Sequence, residues 1–219
     1  MSSRKNLIGK ILQSRSYGEF EVISQGGGFL EIRFIKTGFV NKVGTSDAKA
    51  GRVKDVMYPS VHGVGYIGVG EFKPSVSGVK SQEYNVWVCM LQRCYSEKYQ
   101  KNHPTYKGCL VCAEWHNFQN FARWYNKSNP DDGIKYQLDK DLKVGGRGKL
   151  YSPNTCSLIT QAENSEIANA KRFKFKSPEN DIVEVFNLRK FCRLNSLHHG
   201  SMSFVSSGKL KSHKGWSAA

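Results

Sequence analysis

The stretch that decides the fold runs Leu138-Asp139-Lys140-Asp141, then Tyr151-Ser152-Pro153-Asn154-Thr155-Cys156, then Glu163-Asn164. Tyr136–Leu138 suits a short strand, and Lys143 to Lys149 is Gly-rich and basic. Ser152-Pro153-Asn154 carries turn chemistry, Cys156–Ile159 suits a second strand, and Gln161–Ala170 suits a helix. The pattern is therefore strand, loop, strand, helix within about 35 residues. Asp139 falls at a strand end and Asn164 on the following helix, so each can offer one hard oxygen to a divalent ion such as Mg²⁺ or Mn²⁺. Water and phosphate oxygens would complete the shell. Such an ion polarises a phosphoryl oxygen and stabilises a leaving alkoxide. A base must still activate the attacking water, and Lys140 stands where that base is expected. A lysine is a cation near neutral pH, so it serves as a base only if burial or cationic neighbours strip its proton. Otherwise it binds phosphate as a cation. The plainer alternative is that Asp139 and Asp141 are solvated turn carboxylates and Asn154 a turn former.

Upstream, the apolar period is helical. Tyr84, Trp87, Val88, Leu91 and Tyr95 share one face over 83–99. Trp115, Phe118, Phe121, Ala122 and Tyr125 do the same over 114–125, and both stripes read as core. Asn129-Pro130-Asp131-Asp132-Gly133 breaks the chain before the deciding stretch.

Residues 1–80 read as a small β module. Phe20–Ile23 and Phe29–Ile35 are strand-like, with Ser24-Gln25-Gly26-Gly27-Gly28 as the turn. Tyr58 to Gly70 resists helix and suggests turns or a close backbone approach, and Lys73–Lys80 reads as a linker. In residues 171–219, Phe173–Phe175 and Ile182–Val185 read as strands around a turn at Ser177-Pro178-Glu179-Asn180. Asn187 can cap a helix to Leu194, and Ser201 a shorter one through Val205. Two short helices after a hairpin suggest a helix-turn-helix-like DNA reader.

Charge points the same way. Lys and Arg number 33 against 18 Asp and Glu, a net +15 that calls for an anionic partner such as nucleic acid. The excess sits at the ends: +6 over 1–80, +2 over 81–170 and +7 over 171–219. Carboxylates for a cation site are thus concentrated in the middle. Arg189, Lys190 and Arg193 on the expected helix, with Lys209, Lys211, His213 and Lys214 beyond it, can contact DNA. Lys171, Arg172, Lys174 and Lys176 form a second run. Cations on one face release condensed counterions from a duplex and give affinity without sequence information. A solvated charged face is the alternative for any single run. No apolar run approaches the roughly 20 residues of a membrane span, and Met1 to Lys10 has no signal-peptide core, so a cytoplasmic, non-secreted protein is expected.

Of the six cysteines, Cys109 and Cys112 are spaced Cys-x-x-Cys. Together with Cys94 and Cys156 they could bind a structural Zn²⁺; the alternative is buried thiols acting as small hydrophobes.

The segment 84–168 resembles the HNH-like (ββα-metal fold) nucleases common in phages, many of them homing endonucleases. The likeness rests on Trp87, Met90, Arg93-Cys94-Tyr95, Tyr106, Val111-Cys112-Ala113-Glu114-Trp115, Phe118, Phe121 and the deciding stretch quoted above. It implies metal ligation by Asp139 and Asn164 and a loop positioned by Asn154. It also implies a bacterial or phage-infected cell. The family pattern has His directly after the Asp, whereas this chain has Lys140, as in an Asp-Lys or Asp-Arg subgroup. The tail resembles DNA-binding modules attached to such nucleases, on Ser177-Pro178, Asn187-Leu188, Phe191-Cys192, Gly208-Lys209 and His213-Lys214-Gly215-Trp216. Ile35-Lys36-Thr37-Gly38 and Gly51-Arg52-Val53-Lys54-Asp55 resemble leading modules of phage nucleases.

The expectation is an α+β chain in three parts: a DNA-binding β module (1–80), a nuclease-like domain with aromatic helices (81–170) and a basic helix-turn-helix-like module (171–219). Its expected activity is metal-dependent, site-preferring cleavage of double-stranded DNA. A catalytically inactive DNA-binding regulator on the same scaffold is the alternative.

Overall fold

A computed structural model describes residues 6–140, 148–168 and 171–219, without the side chains of 166–168. The class is mixed α+β, with seven α-helices and several small sheets among the described residues.

The first sheet is an antiparallel meander of β1 (Ile11–Ser14), β2 (Gly18–Gly26), β3 (Phe29–Phe34) and β4 (Val40–Gly44). The strands alternate as the period of two requires: in β3, Leu30, Ile32 and Phe34 are buried while Phe29, Glu31 and Arg33 are exposed. The register pairs Phe20 with Phe34 and Val22 with Ile32, and shifts at a bulge between Val22 and Ser24. These side chains form one core with Leu7, Val53 and Ala48, the last from α1 (Thr45–Lys49). The buried Asp55 accepts hydrogen bonds from the Thr37 hydroxyl at 2.6 Å and the Met57 amide at 2.8 Å. The outer strands β1 and β4 carry a single buried side chain between them, Ser14, which is why their apolar signal is weak.

A second core begins at Val61, ahead of the boundary expected at 80. Val61, Val64, Ile67 and Phe72 all pack against it. The close approach expected of the Gly-rich stretch occurs at Gly65, where a Cβ would overlap the Leu91 and Trp87 side chains. Gln119 fastens the same stretch: it accepts from the Phe72 amide and donates to the Ile67 and Phe72 carbonyls. The expected linker at 73–80 is a hairpin of β5 (Ser75–Val76) and β6 (Val79–Lys80). Ser77 and Gly78 both have positive φ, as a two-residue hairpin turn needs.

The helix expected over 83–99 is two helices, α2 (Gln82–Tyr95) and α3 (Glu97–Asn102). Ser96 ends the first and its side chain caps the second, accepting from the Tyr99 amide. The second aromatic stripe is likewise divided into a 3₁₀ turn at Ala113–His116 and α4 (Phe118–Ser128), with Asn117 capping. Both stripes are core: Trp87, Met90, Leu91, Trp115, Phe118, Phe121 and Tyr125 are buried together. The Trp87 indole donates to the Trp115 carbonyl at 2.7 Å. Truncating a buried Trp of this kind costs about 3–5 kcal/mol.

The deciding stretch folds as β8 (Tyr136–Asp139), β9 (Leu150–Tyr151), β10 (Ser157–Thr160) and α5 (Gln161–Ala168). β8 pairs antiparallel with β10. β9 pairs parallel with β7 (Leu110–Val111), which ties the loop to the aromatic helices. Asp141 and residues 143–147 lie outside the described residues.

The last unit has its own core of Phe175, Val185, Leu188, Cys192, Met202 and Val205. It contains β11 (Arg172–Lys176), β12 (Ile182–Phe186), α6 (Leu188–Leu194), α7 (His199–Ser206), β13 (Ser212–His213) and β14 (Trp216–Ala218). Asn187 caps α6 from a left-handed conformation, φ 65°, accepting from the Lys190 amide. The cap of α7 is His198, not Ser201: its ring accepts the Ser201 amide, and Ser201 lies inside the helix. β13 and β14 extend the hairpin to the order β12-β11-β14-β13.

Candidate functional site

Directly opposed residues of an antiparallel pair face the same way. In β8 and β10, Leu138 pairs with Leu158 and both turn to the central core. Gln137 pairs with Ile159 and Asp139 with Ser157, so these four share the other face. Ile159 is buried there, and α5 contacts both strands.

The start of α5 is fixed by a capping box. The Thr160 amide and hydroxyl donate to one Glu163 oxygen at 2.8 and 2.9 Å, and the Glu163 amide donates to the Thr160 hydroxyl. These bonds, with a smaller contribution from the Lys190 charge, hold the Glu163 carboxyl below the usual carboxylate range. Glu163 is thereby committed to the helix start. One residue on, the Asn164 Nδ2 donates to Gln137 Oε1 at 2.6 Å. Asn164 therefore reaches the strand face that also carries Asp139, two residues along from Gln137. The Asn164 side-chain oxygen is an acceptor of the kind a divalent ion takes.

Lys140 follows Asp139 directly, in a bend past the end of β8. Its charge acts on the Cys94 thiol, which is buried in the central core.

Asn154 is exposed in the turn after β9. The loop is organised by the next residue instead. The Thr155 hydroxyl donates to the Leu150 carbonyl at 2.7 Å and accepts from the Ser152 amide at 3.0 Å. The Thr155 oxygen thus sits within the turn, while Asn154, to which the family resemblance assigns the positioning of this loop, is exposed. Arg93 is likewise structural: its guanidinium bonds the buried Tyr151 and lies over the Tyr106 ring at 5.6 Å. Burial pushes the Tyr151 hydroxyl well above its ordinary range.

All six cysteines are free thiols. Cys94, Cys109 and Cys156 are buried in the central core, and Cys112 is half-buried before the 3₁₀ turn. Burial, and next the neighbouring Cys109, push the Cys94 thiol up to about 12; burial raises Cys112 also. Among the described residues no group of three or more His, Cys, Asp and Glu is arranged to hold a metal. Cys94, Cys109 and Cys156 pack in the core as small hydrophobes do, with Cys112 at its edge.

In the last unit, Arg189, Lys190 and Arg193 are exposed on one side of α6, because Leu188, Phe191 and Cys192 face inward. Lys209 and Lys211 are exposed, with the Lys209 ammonium 6.0 Å from the Phe204 ring centre. His213 and Lys214 have structural work. The His213 Nε2 accepts the His198 amide at 3.2 Å, and the Lys214 ammonium donates to the Ser196 carbonyl at 2.8 Å. Both bonds brace the turn between α6 and α7.

Gln137 and Thr155 are the residues that sequence reasoning missed. Alternation from Asp139 puts Gln137 on the same strand face, but only the fold brings Asn164 to it. The chain matches no family model, no curated protein and no solved structure. Among the described residues no helix is long and apolar enough to cross a membrane.

Proposed function

We propose that the chain is a metal-dependent, site-preferring DNA endonuclease of the homing or mobile type, hydrolysing phosphodiester bonds. The observation that carries the reading is the Asn164–Gln137 hydrogen bond. It puts a neutral amide from α5 on the β8 face that bears Asp139, within a hairpin followed by a capped helix. A carboxylate and an amide oxygen are hard donors that suit Mg²⁺ or Mn²⁺, which keep several waters and take phosphate oxygens when DNA is present. Two protein ligands are enough for such an ion. When bound, it would supply charge stabilisation at the scissile phosphate. Asp139 and Asn164 would hold it, and Thr155 would fix the loop that precedes β10.

The net charge of +15 supports duplex DNA as the substrate.

A second reading, a DNA-binding regulator without catalysis, is favoured by one observation: Lys140 stands where the family resemblance has His. A base must approach the attacking water beside Asp139. The test is nicking of a long mixed duplex with Mg²⁺ or Mn²⁺, comparing wild type with Asp139→Ala. Cleavage that disappears in the variant is the expected result. Tight binding with no cleavage under either metal overturns the enzyme reading in favour of the regulator, and cleavage gained by Lys140→His would then identify a lost base on an intact scaffold.

A further inference from the structure

The four-stranded sheet of the last unit has two different faces. Phe173, Phe175, Val183 and Val185 turn inward and pack with α6 and α7. On the opposite face the register sets Arg172 beside Phe186, Lys174 beside Glu184 and Lys176 beside Ile182. All six are exposed, Ile182 at 71% and Phe186 at 48%, although both are large and apolar. Lys174 pairs with Glu184 at 3.0 Å, and the Arg172 guanidinium lies 5.7 Å from the Phe186 ring centre.

The helices are poorer candidates for groove entry. In a helix-turn-helix the second helix enters the major groove. Here that helix is α7, His199–Ser206, which contains no Lys or Arg. It is also hemmed in, packing against α6, β11, β13 and β14. The N-terminal sheet offers a control within the same chain. Its outward residues include Glu19, Glu21 and Glu31 against Arg33 and Lys42, with Glu21 drawn to Arg33 at 4.0 Å. Both sheets bury one face, but only the C-terminal one presents a cationic excess on the other.

Resting on the DNA reading above, we infer that the open face of β11 and β12 meets duplex DNA, so that the module reads with its sheet and uses α6 and α7 as support. Arg172, Lys174 and Lys176 repeat along one strand at about 6.6 Å, and a two-stranded ribbon fits the major groove. Arg172 and Lys176 would meet phosphates at its rims. Phe186 and Ile182 would make the apolar contacts that bases offer there, and Glu184, paired with Lys174, would offset part of the positive charge.

The test uses the full chain in EDTA, so that binding is measured apart from cleavage. Affinity for a mixed-sequence duplex is followed against salt for wild type, R172Q/K176Q, R189Q/R193Q and E184Q. Each lost phosphate contact lowers the salt slope by about 0.9. The sheet variant is expected to lose about 1.8 in slope and roughly 30-fold in affinity at 0.15 M salt. The helix variant is expected to lose less in both measures. E184Q, which removes a negative charge from the face, is expected to bind more tightly, a gain that misfolding would not produce. A sheet variant and E184Q that both match wild type overturn the inference while leaving the DNA reading standing. Larger losses in the helix variant do the same. A wild type that binds no duplex, or prefers single strands more than tenfold, overturns the inference and the duplex reading together.

Discussion

Replacing Thr155 with Val keeps the shape of the side chain and removes its oxygen. That oxygen bridges the Leu150 carbonyl at 2.7 Å and the Ser152 amide at 3.0 Å. Ser152 is buried, so its amide is poorly placed to recover water. Each lost hydrogen bond costs about 0.5–1.5 kcal/mol, so the substitution should cost about 2 kcal/mol. For a chain of this size that lowers the melting midpoint by about 4–8 °C. Fluorescence during heating is a suitable assay, because Trp87, Trp115 and Trp124 belong to the central core and only Trp216 lies in another. Asn154→Ala, at an exposed turn position, should stay within about 0.5 kcal/mol of wild type. A larger fall of the midpoint in Asn154→Ala than in Thr155→Val would refute this role for the Thr155 oxygen.

Native thiol labelling at neutral pH should modify the exposed Cys89 fast, Cys112 slowly, and Cys94, Cys109 and Cys156 only after unfolding; three or more fast thiols per chain would contradict the buried core. Stability should also fall in alkali. The Cys94 thiol is raised from 9.0 to about 12, so its contribution is complete below pH 9 and is lost as pH rises through 12, roughly 4 kcal/mol at most. Urea midpoints from pH 8 to 11 should therefore decline more steeply for wild type than for Cys94→Ala, and parallel declines would refute the assignment. Gln137→Leu, which frees the Asn164 amide, should raise the Mg²⁺ concentration for half-maximal cleavage several-fold without changing circular dichroism. An unchanged Mg²⁺ requirement would show that Gln137 does not orient Asn164.

Much of the fold is legible in local pattern. Phe20 and Val22 against Leu30, Ile32 and Phe34 announce a half-buried sheet, and the aromatic stripes announce buried helices. What local pattern omits are decisions made between segments. The run through Tyr95 looks continuous, yet Ser96 spends its side chain on a new cap. The Gly-rich stretch at 61–72 belongs to the central core because Gln119 and Gly65 engage it across distant sequence. Ser212–His213 and Trp216–Ala218 become strands only because β11 supplies a free edge. In the candidate site, chemistry singled out Asp139 and Asn164, but Gln137, the partner of Asn164, is visible only when α5 lies on the hairpin. The basic tail was legible as charge, not as geometry. Arg172, Lys174 and Lys176 acquire a common direction only in an extended strand, while His213 and Lys214 turn out to brace a turn.

The most direct measurement of the central claim is paramagnetic broadening by Mn²⁺ in the isotope-labelled protein bound to a short, uncleaved duplex. The account predicts selective loss of the amide signals of residues 137–139 and 162–165, abolished by Asp139→Ala. Broadening centred elsewhere, or unchanged by that substitution, would contradict it.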